Sequence, residues 1–250
     1  MSFEGKVAIV TGVKPGNIGQ AIADALVAKG AKIAVGATKD ESGKAAVAAI
    51  EAAGGEATYG IVDIASLESC TALAALAAER FGRIDYLVNN AALFGGMSMQ
   101  SLLDIDWDEL KRLMDINLLG SLAMTRAAVP YMEKAGGGAI VNVSSSAAWM
   151  AGGHYSAAKL GLNSIALSLS KQLGPRNIRI NTLAPGMTDT PAFRGQTPQE
   201  YVDMLIGNQA VKRIGTPEDQ AKAVLFLLSD DASFITGSVM SCDGGLTARV

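Results

Sequence analysis

Residues 6–30 read KVAIVTGVKPGNIGQAIADALVAKG, and this stretch decides the fold. Five residues at its start are mostly apolar in succession rather than alternating. A strand buried on both faces needs that pattern, and parallel sheets between helix layers have such strands. A glycine-rich turn follows, with Thr11, Gly12, Gly16 and Gly19. After it Ile18, Ala21, Ile22, Ala25 and Leu26 form a stripe at helical spacing, ended by Gly30. Glycines between a strand and a helix let backbone N–H groups approach a pyrophosphate at the helix N-terminus. Lys14, Gly16, Asn17, Ile18 and Gly19 are therefore candidate contacts for a dinucleotide.

The same alternation continues outward. Apolar runs at residues 32–35, 57–62, 84–88, 139–143, 178–183 and 238–242 are separated by helical stretches. Alternating βα units predict an α/β fold, a doubly wound parallel sheet of about seven strands with right-handed crossovers. No proline-rich linker, charge block or repeat divides the 250 residues, so residues 1–250 read as a single domain. The alanine-rich stretches 44–53 and 71–78 read as helices whose small side chains lie close to a sheet. The second run ends at Gly36-Ala37-Thr38-Lys39. A carboxylate near this point would hold a ribose 2′-hydroxyl. Ala37 stands there instead, with Thr38 and Lys39 beside it, and Lys14 is a second cation in the turn. This favours NADP(H) over NAD(H).

Net charge is −3, which offers no electrostatic grip on nucleic acid or anionic lipid. One histidine and two distant cysteines, Cys70 and Cys242, cannot make a zinc site, so no metal is expected. The cysteines could pair but read better as two buried thiols in a reducing compartment. The N-terminal MSFEGK lacks a signal-peptide layout, and no run reaches transmembrane length. The expectation is a cytoplasmic protein with no membrane partner.

Tyr155 and Lys159 form YSAAK, a spacing that puts both on one helix face. A phenol near pKa 10 is a poor base at neutral pH, and lowering it by about three units needs roughly 4 kcal/mol. An ammonium about 4 Å away supplies about that much at an effective dielectric near 20. One lysine could thus make the tyrosine a usable acid/base. Ser144, Ser145 and Ser146, after the fifth run, are placed to hold a reacting oxygen.

With these residues the chain resembles the short-chain dehydrogenase/reductase family, over nearly its whole length. The features come in family order: the TG-rich turn, Asp63 in VDI, NNAA from Asn89, Asn117 in DINLLG, VNVSS, YSAAK, RINTLAPG and ITGSVMSCDGG. The resemblance implies a hydride-transferring oxidoreductase for a small carbonyl or alcohol. It implies Tyr155 as the acid in reduction and the base in oxidation, with Lys159 depressing its pKa and holding the nicotinamide ribose. Ser145 would hydrogen-bond the reacting oxygen. Asn117 would sit at a helix distortion and hold a water linking Lys159 to solvent. Asp63 and Ile64 would meet the adenine, Asn90 and Ala91 the adenosine ribose region. Pro185, Gly186 and Thr188 would line the nicotinamide, with Thr188 on its carboxamide.

Three departures stand out. The phosphate turn is one residue longer than the family's TGxxxGxG, with Asn17 where the middle glycine lies, a residue that tolerates positive φ. NNAG is here NNAA, so Ala92 adds a methyl. The segment between Ser145 and Tyr155 is three residues short, which leaves the choice among the serines open. Phe94, Ser145, Trp149 and Met187, with Leu93, Met150 and Phe193, are the expected substrate neighbours, and residues 188–213 the expected lid, with an amphipathic run at 201–206. Their apolar character predicts a neutral ketone or secondary alcohol. The rivals are a 3-oxoacyl thioester on an acyl carrier protein, an NAD-dependent dehydrogenase, and a non-catalytic dinucleotide-binding regulator. His154 reads as a pocket-wall or surface residue. The apolar helices 107–132 and 156–173, and the family, predict a homotetramer.

Overall fold

The computed structural model describes residues 1–96, 98, 100–150 and 152–247. Seven parallel strands form one sheet: β1 (Val7–Thr11), β2 (Lys32–Ala37), β3 (Ala57–Ile61), β4 (Tyr86–Asn89), β5 (Gly138–Val143), β6 (Ile178–Pro185) and β7 (Val239–Cys242). Their order is β3-β2-β1-β4-β5-β6-β7. Successive residues feed opposite cores. Ala8 and Val10 of β1 join one cluster with Ile33, Val35, Val88 and Val141. Ile9 joins the other with Ala34, Leu87 and Ile140. Burial on both faces is why the strands are apolar without alternation.

Helices cover both faces. On one, α1 (Ile18–Val27) packs against α9 (Pro217–Leu228). On the other, α3 (Leu67–Phe81) packs against α5 (Gly120–Lys134). α2 (Asp40–Ala52) packs over β2 and β3 on the α1 side, and α6 (Gly153–Leu173) lies along β6. Side-chain caps start several of them, each satisfying first-turn N–H groups that have no carbonyl partner. Ser66 caps α3, and Thr216 with Asp219 forms a capping box on α9.

Strand boundaries depart from the apolar runs by up to two residues, most clearly at β4, which begins at Tyr86 rather than Ile84. There Asp85 leaves the ladder's side-chain pattern to pair with Lys6 and Arg83. The expected helix 107–132 is not continuous. It divides into α4 (Trp107–Met114), a π turn over Asp115–Leu119 that contains Asn117, and α5. Both cysteines are free thiols; Cys70 is buried but Cys242 only half-buried. Among the described residues no helix is long and apolar enough to cross a membrane, and no His/Cys/Asp/Glu group could hold a metal ion.

The chain direction of strand numbering reverses between β1 and β4. Open α/β sheets bind ligands in the crevice at the carboxyl ends of strands at such a reversal. The ends of β1 and β4 there are Thr11-Gly12 and Asn89-Asn90-Ala91.

Candidate active site

The phosphate turn is locked onto the end of β4. A Cβ at Gly12 (φ +71°) would lie 2.7 Å from the Cα of Ala91, so only glycine lets the two backbones approach. The Asn90 amide donates to the carbonyls of Thr11 (2.9 Å) and Gly12 (3.1 Å). The buried Thr11 hydroxyl accepts from the N–H groups of Asn90 and Ala91, both at 3.1 Å. Thr11 and the Asn90 side chain, expected to touch a cofactor, are thus engaged in holding the turn.

Asn17 departs from expectation in a more telling way. It does not take positive φ; its backbone is extended (φ −99°, ψ 173°), and Gly16 carries the left-handed turn at +74°. Asn17 is instead the N-cap of α1. Its Oδ1 accepts from the N–H groups of Lys14 (3.2 Å) and Gln20 (2.9 Å), and its Nδ2 donates to Gly12 O (2.8 Å). The added residue turns a glycine position into a cap. Lys14, Pro15, Asn17 and Ile18 then line the cleft in front of the helix start.

That cleft consists of two joined cavities, of about 820 and 530 Å³. They share Gly12, Lys14, Thr38, Ala91, Ala92 and Leu93. The outer one is walled by Asp63, Ile64 and Ile116 and edged by Lys111 and Arg112. The last two were not anticipated, because charges on a helix read as a solvated face. Of the two candidate cations, Lys14 lines both cavities and Lys39 neither. Lys39 sits at the N-cap position of α2, its carbonyl accepting from Ser42 at 2.8 Å.

The inner cavity ends on α6. Tyr155 and Lys159 both line it. Lys159 is buried, its ammonium donating to Val143 O at 2.9 Å and lying 5.7 Å from the centre of the Tyr155 ring. The three serines separate. The Ser144 hydroxyl is buried and donates to Lys159 O at 3.0 Å. Ser146 is buried at the start of a 3₁₀ turn, Ser146–Trp149. Ser145 lines the cavity, accepts from Ala147 N–H at 3.1 Å, and hydrogen-bonds the Tyr155 phenol. Burial pushes the phenol up to about 12, against which the Ser145 hydrogen bond acts. Burial alone pulls Lys159 down to about 8. In the protein by itself, then, burial sets the direction of the phenol's shift, and the YSAAK spacing alone does not bring it down.

The remaining walls come from three segments. In the π turn, the Asn117 amide pairs with both backbone groups of Leu93, accepting from its N–H (2.7 Å) and donating to its carbonyl (2.9 Å). The next residue, Phe94, lies with its ring centre 5.6 Å from that of Tyr155, tilted by 57°. Beyond β6, Pro185, Gly186 and Thr188 line the cavity. The Thr188 hydroxyl donates to Gly186 O (3.1 Å) and accepts from the buried Gln220 (3.2 Å), a partner sequence reading missed. From the expected lid, α7 (Pro191–Arg194) brings Pro191, Ala192 and Phe193 to the cavity, while α8 (Gln199–Asn208) buries Val202 and Leu205.

Met187 and Trp149 do not line this cavity among the described residues. Met187 is buried behind it, its carbonyl accepting from Gly215 N–H at 3.0 Å, and Trp149 ends the 3₁₀ turn. His154 is neither wall nor surface: it is buried, and neither ring nitrogen has a hydrogen-bond partner among the described residues.

The family model described as Enoyl-(Acyl carrier protein) reductase matches residues 12–247. An uncharacterized oxidoreductase of Mycobacterium tuberculosis is 46% identical over 247 residues, covering 99% of each chain. The 7alpha-hydroxysteroid dehydrogenase of Clostridium sardiniense is 36% identical, over 97% of this chain and 94% of that one. Among solved structures, a 7 alpha-hydroxysteroid dehydrogenase complexed with NADH and 7-oxo glycochenodeoxycholic acid superposes with a TM-score of 0.91. It is 32% identical, over 98% of this chain and 95% of that one.

Proposed function

Because this chain belongs to the short-chain dehydrogenase/reductase family of Rossmann-fold NAD(P)-dependent oxidoreductases, we propose that it reduces a small, mainly apolar ketone to its secondary alcohol, or the reverse, with NADP(H) preferred. One observation carries the reading: Ser145, Tyr155 and Lys159 meet at the inner end of a cleft that passes the phosphate turn and Lys14 and continues to Asp63 and Ile64. The cleft suits a dinucleotide. Its turn has the close backbone approach at Gly12, and the start of α1, where Asn17 caps the Gln20 N–H, brings Asn17 and Ile18 to the cleft, the kind of helix end that favours an anion. Asp63 and Ile64 would border the adenine, and Thr38 with Lys14 the ribose 2′-phosphate. Pro185, Gly186 and Thr188 would border the nicotinamide.

The nicotinamide, when bound, supplies or accepts the hydride. The chain's residues manage the proton and the oxygen. Tyr155 gives its phenolic proton to the substrate oxygen in reduction and takes it back in oxidation. Ser145 donates to that same oxygen as charge develops on it. Lys159 holds positive charge behind the phenol, and Asn117 fixes the loop that carries Phe94. Residues 188–213 act as the lid that excludes water.

Substrate character follows from the inner cavity. Phe94, Phe193, Pro191 and Ala192 contribute no charge, and burying an unpaired carboxylate costs several kcal/mol. The rival substrate is an acyl-carrier thioester, suggested by the description of the matching family model. We also read the protein as a cytoplasmic homotetramer: Trp107, Leu119, Leu160 and Leu167 leave large exposed apolar groups on α4, the π turn and α6. A monomer by light scattering at micromolar concentration would contradict that.

The test of function is a screen of cyclic and aromatic ketones, acetoacetyl thioesters and short keto acids with NADPH and NADH. Clear preference for a thioester or a charged keto acid would refute the apolar-ketone reading. In the same assay Tyr155→Phe should abolish turnover while cofactor affinity stays within about threefold, because the phenol transfers the proton and other groups do the binding.

A further inference from the structure

We propose that Phe94 is a positioning residue for Tyr155, seated against it by the lid through the hydrogen bond from Gly96 N–H to Gln196. This rests on the reading of Tyr155 as the acid/base.

Three ties flank Phe94 in the loop after β4, one of them to a residue far away in the chain. Ala91 N–H is bound to Thr11, and both backbone groups of Leu93 are bound to Asn117. The third anchor is Gly96 N–H, which donates to Gln196 Oε1 at 3.1 Å across 100 positions of sequence. Gln196 is itself tied to α7, its Nε2 donating to Ala192 O at 3.1 Å. Phe94 lies between the second and third anchors.

Among the described residues the next tie lies two positions beyond Gly96, where Ser98 N–H donates to Glu109 Oε1 of α4 at 2.9 Å, and it leaves the two glycines beside Phe94 to Gln196. A Cβ at Gly95 or at Gly96 would meet nothing within 4 Å, and Gly96 has φ +75°. Two glycines without packing leave the backbone free to swing unless a hydrogen bond restrains it. Gln196 provides that restraint only when the lid is down. Pro191 of the same lid helix sits 3.4 Å from where a Cβ of Gly16 would be, so the closed lid touches the phosphate turn as well.

The contact that is restrained bears on chemistry. The Phe94 ring lies in the favourable tilted range against the Tyr155 ring, and both face the inner cavity. Among the described residues lining that cavity the charged groups are Lys14, at the phosphate turn, and Lys159, behind the phenol. Arg194 of the lid is engaged by Asp189. Phe94 therefore acts on Tyr155 by orientation and by keeping water away, not by charge. With the lid open, the third anchor is lost and the phenol is both less aligned and better hydrated. Lid closure is in this way coupled to the readiness of the acid.

The test is a double-mutant cycle. Wild type, Phe94→Ala, Gln196→Ala and the double variant are assayed with NADPH and whichever of cyclohexanone and acetophenone the wild type reduces faster. Each single change should lower kcat about tenfold, and the double change about tenfold rather than the hundredfold of independent sites. Phe94→Leu keeps the volume should Phe94→Ala fold poorly. Gln196→Glu retains the acceptor and should keep most of the activity. Reduction needs the protonated phenol, and burial raises its pKa. Hydrating it in Phe94→Ala or Gln196→Ala should therefore move the alkaline limb of kcat down by about half a unit or more. Additive losses, or an unmoved alkaline limb, would overturn the inference. Turnover by Tyr155→Phe would instead refute the acid–base reading on which it rests.

Discussion

Replacing Lys159 by methionine should make the protein inactive and, at neutral pH, more stable. Lys159 is buried with 2% of its surface exposed, and burial pulls its pKa from 10.5 down to about 8. At about 1.4 kcal/mol per unit, that is a penalty of about 3 kcal/mol for holding the charge inside the fold. The sign follows from the two states. Below about pH 8 the lysine is charged both folded and unfolded, so the full penalty is present at pH 7. Between pH 8 and 10.5 the folded form sheds its proton first, and the penalty fades. Methionine is of similar length and adapts to irregular space, but Val143 O loses the donor now 2.9 Å away. Leaving that carbonyl unpaired costs about 1–3 kcal/mol. The net is a gain of about 1 kcal/mol at pH 7, a rise in Tm of about 2–4 °C for a chain of this size. By about pH 10 the gain is gone and the unpaired carbonyl makes the variant the weaker protein. Urea unfolding of both proteins at pH 7 and pH 10 checks this. A difference between them that stays flat across that range, or a variant much weaker at pH 7, would refute the reasoning.

Two further outcomes are expected. Lys14→Asp should shift preference from NADPH toward NADH by about tenfold or more in kcat/KM, the worth of one charge-assisted contact; Lys39→Asp should shift it far less, since Lys39 stands outside the cleft, and the reverse ranking would reassign the 2′-phosphate. Gly19→Ala should weaken cofactor binding by at least about tenfold in a fluorescence titration, because its Cβ would fall 2.6 Å from the Asn90 amide and 2.8 Å from Gly12 O, prising apart the turn; unchanged affinity would show that the turn tolerates the displacement.

What could be read in the sequence, and what could not, divides along physical lines. Strands buried on both faces leave continuous apolar runs, so seven runs gave seven parallel strands; a run does not say where the ladder begins, and at Asp85 it misplaces the start of β4. Asn17 shows a deeper ambiguity. Asparagine suits both a left-handed residue and a helix cap, and one extra residue between Gly12 and Gly19 permits either. The fold chooses the cap because Gly16, just before it, takes the positive φ at no steric cost. Lys14 and Lys39 likewise look equivalent as text, but the first projects from the turn beside the cleft while the second begins α2. Which of three consecutive serines faces Tyr155 depends on how the chain leaves β5: Ser144 is tied to Lys159 O, Ser146 is buried, and Ser145 meets the phenol. The YSAAK spacing places a phenol and an ammonium on one helix face, and it is silent about water. Burial drives Tyr155 up to about 12 and Lys159 down to about 8, each toward its neutral form. Lys159 still carries its charge at pH 7, so what the helix spacing alone does not supply is a lowered phenol.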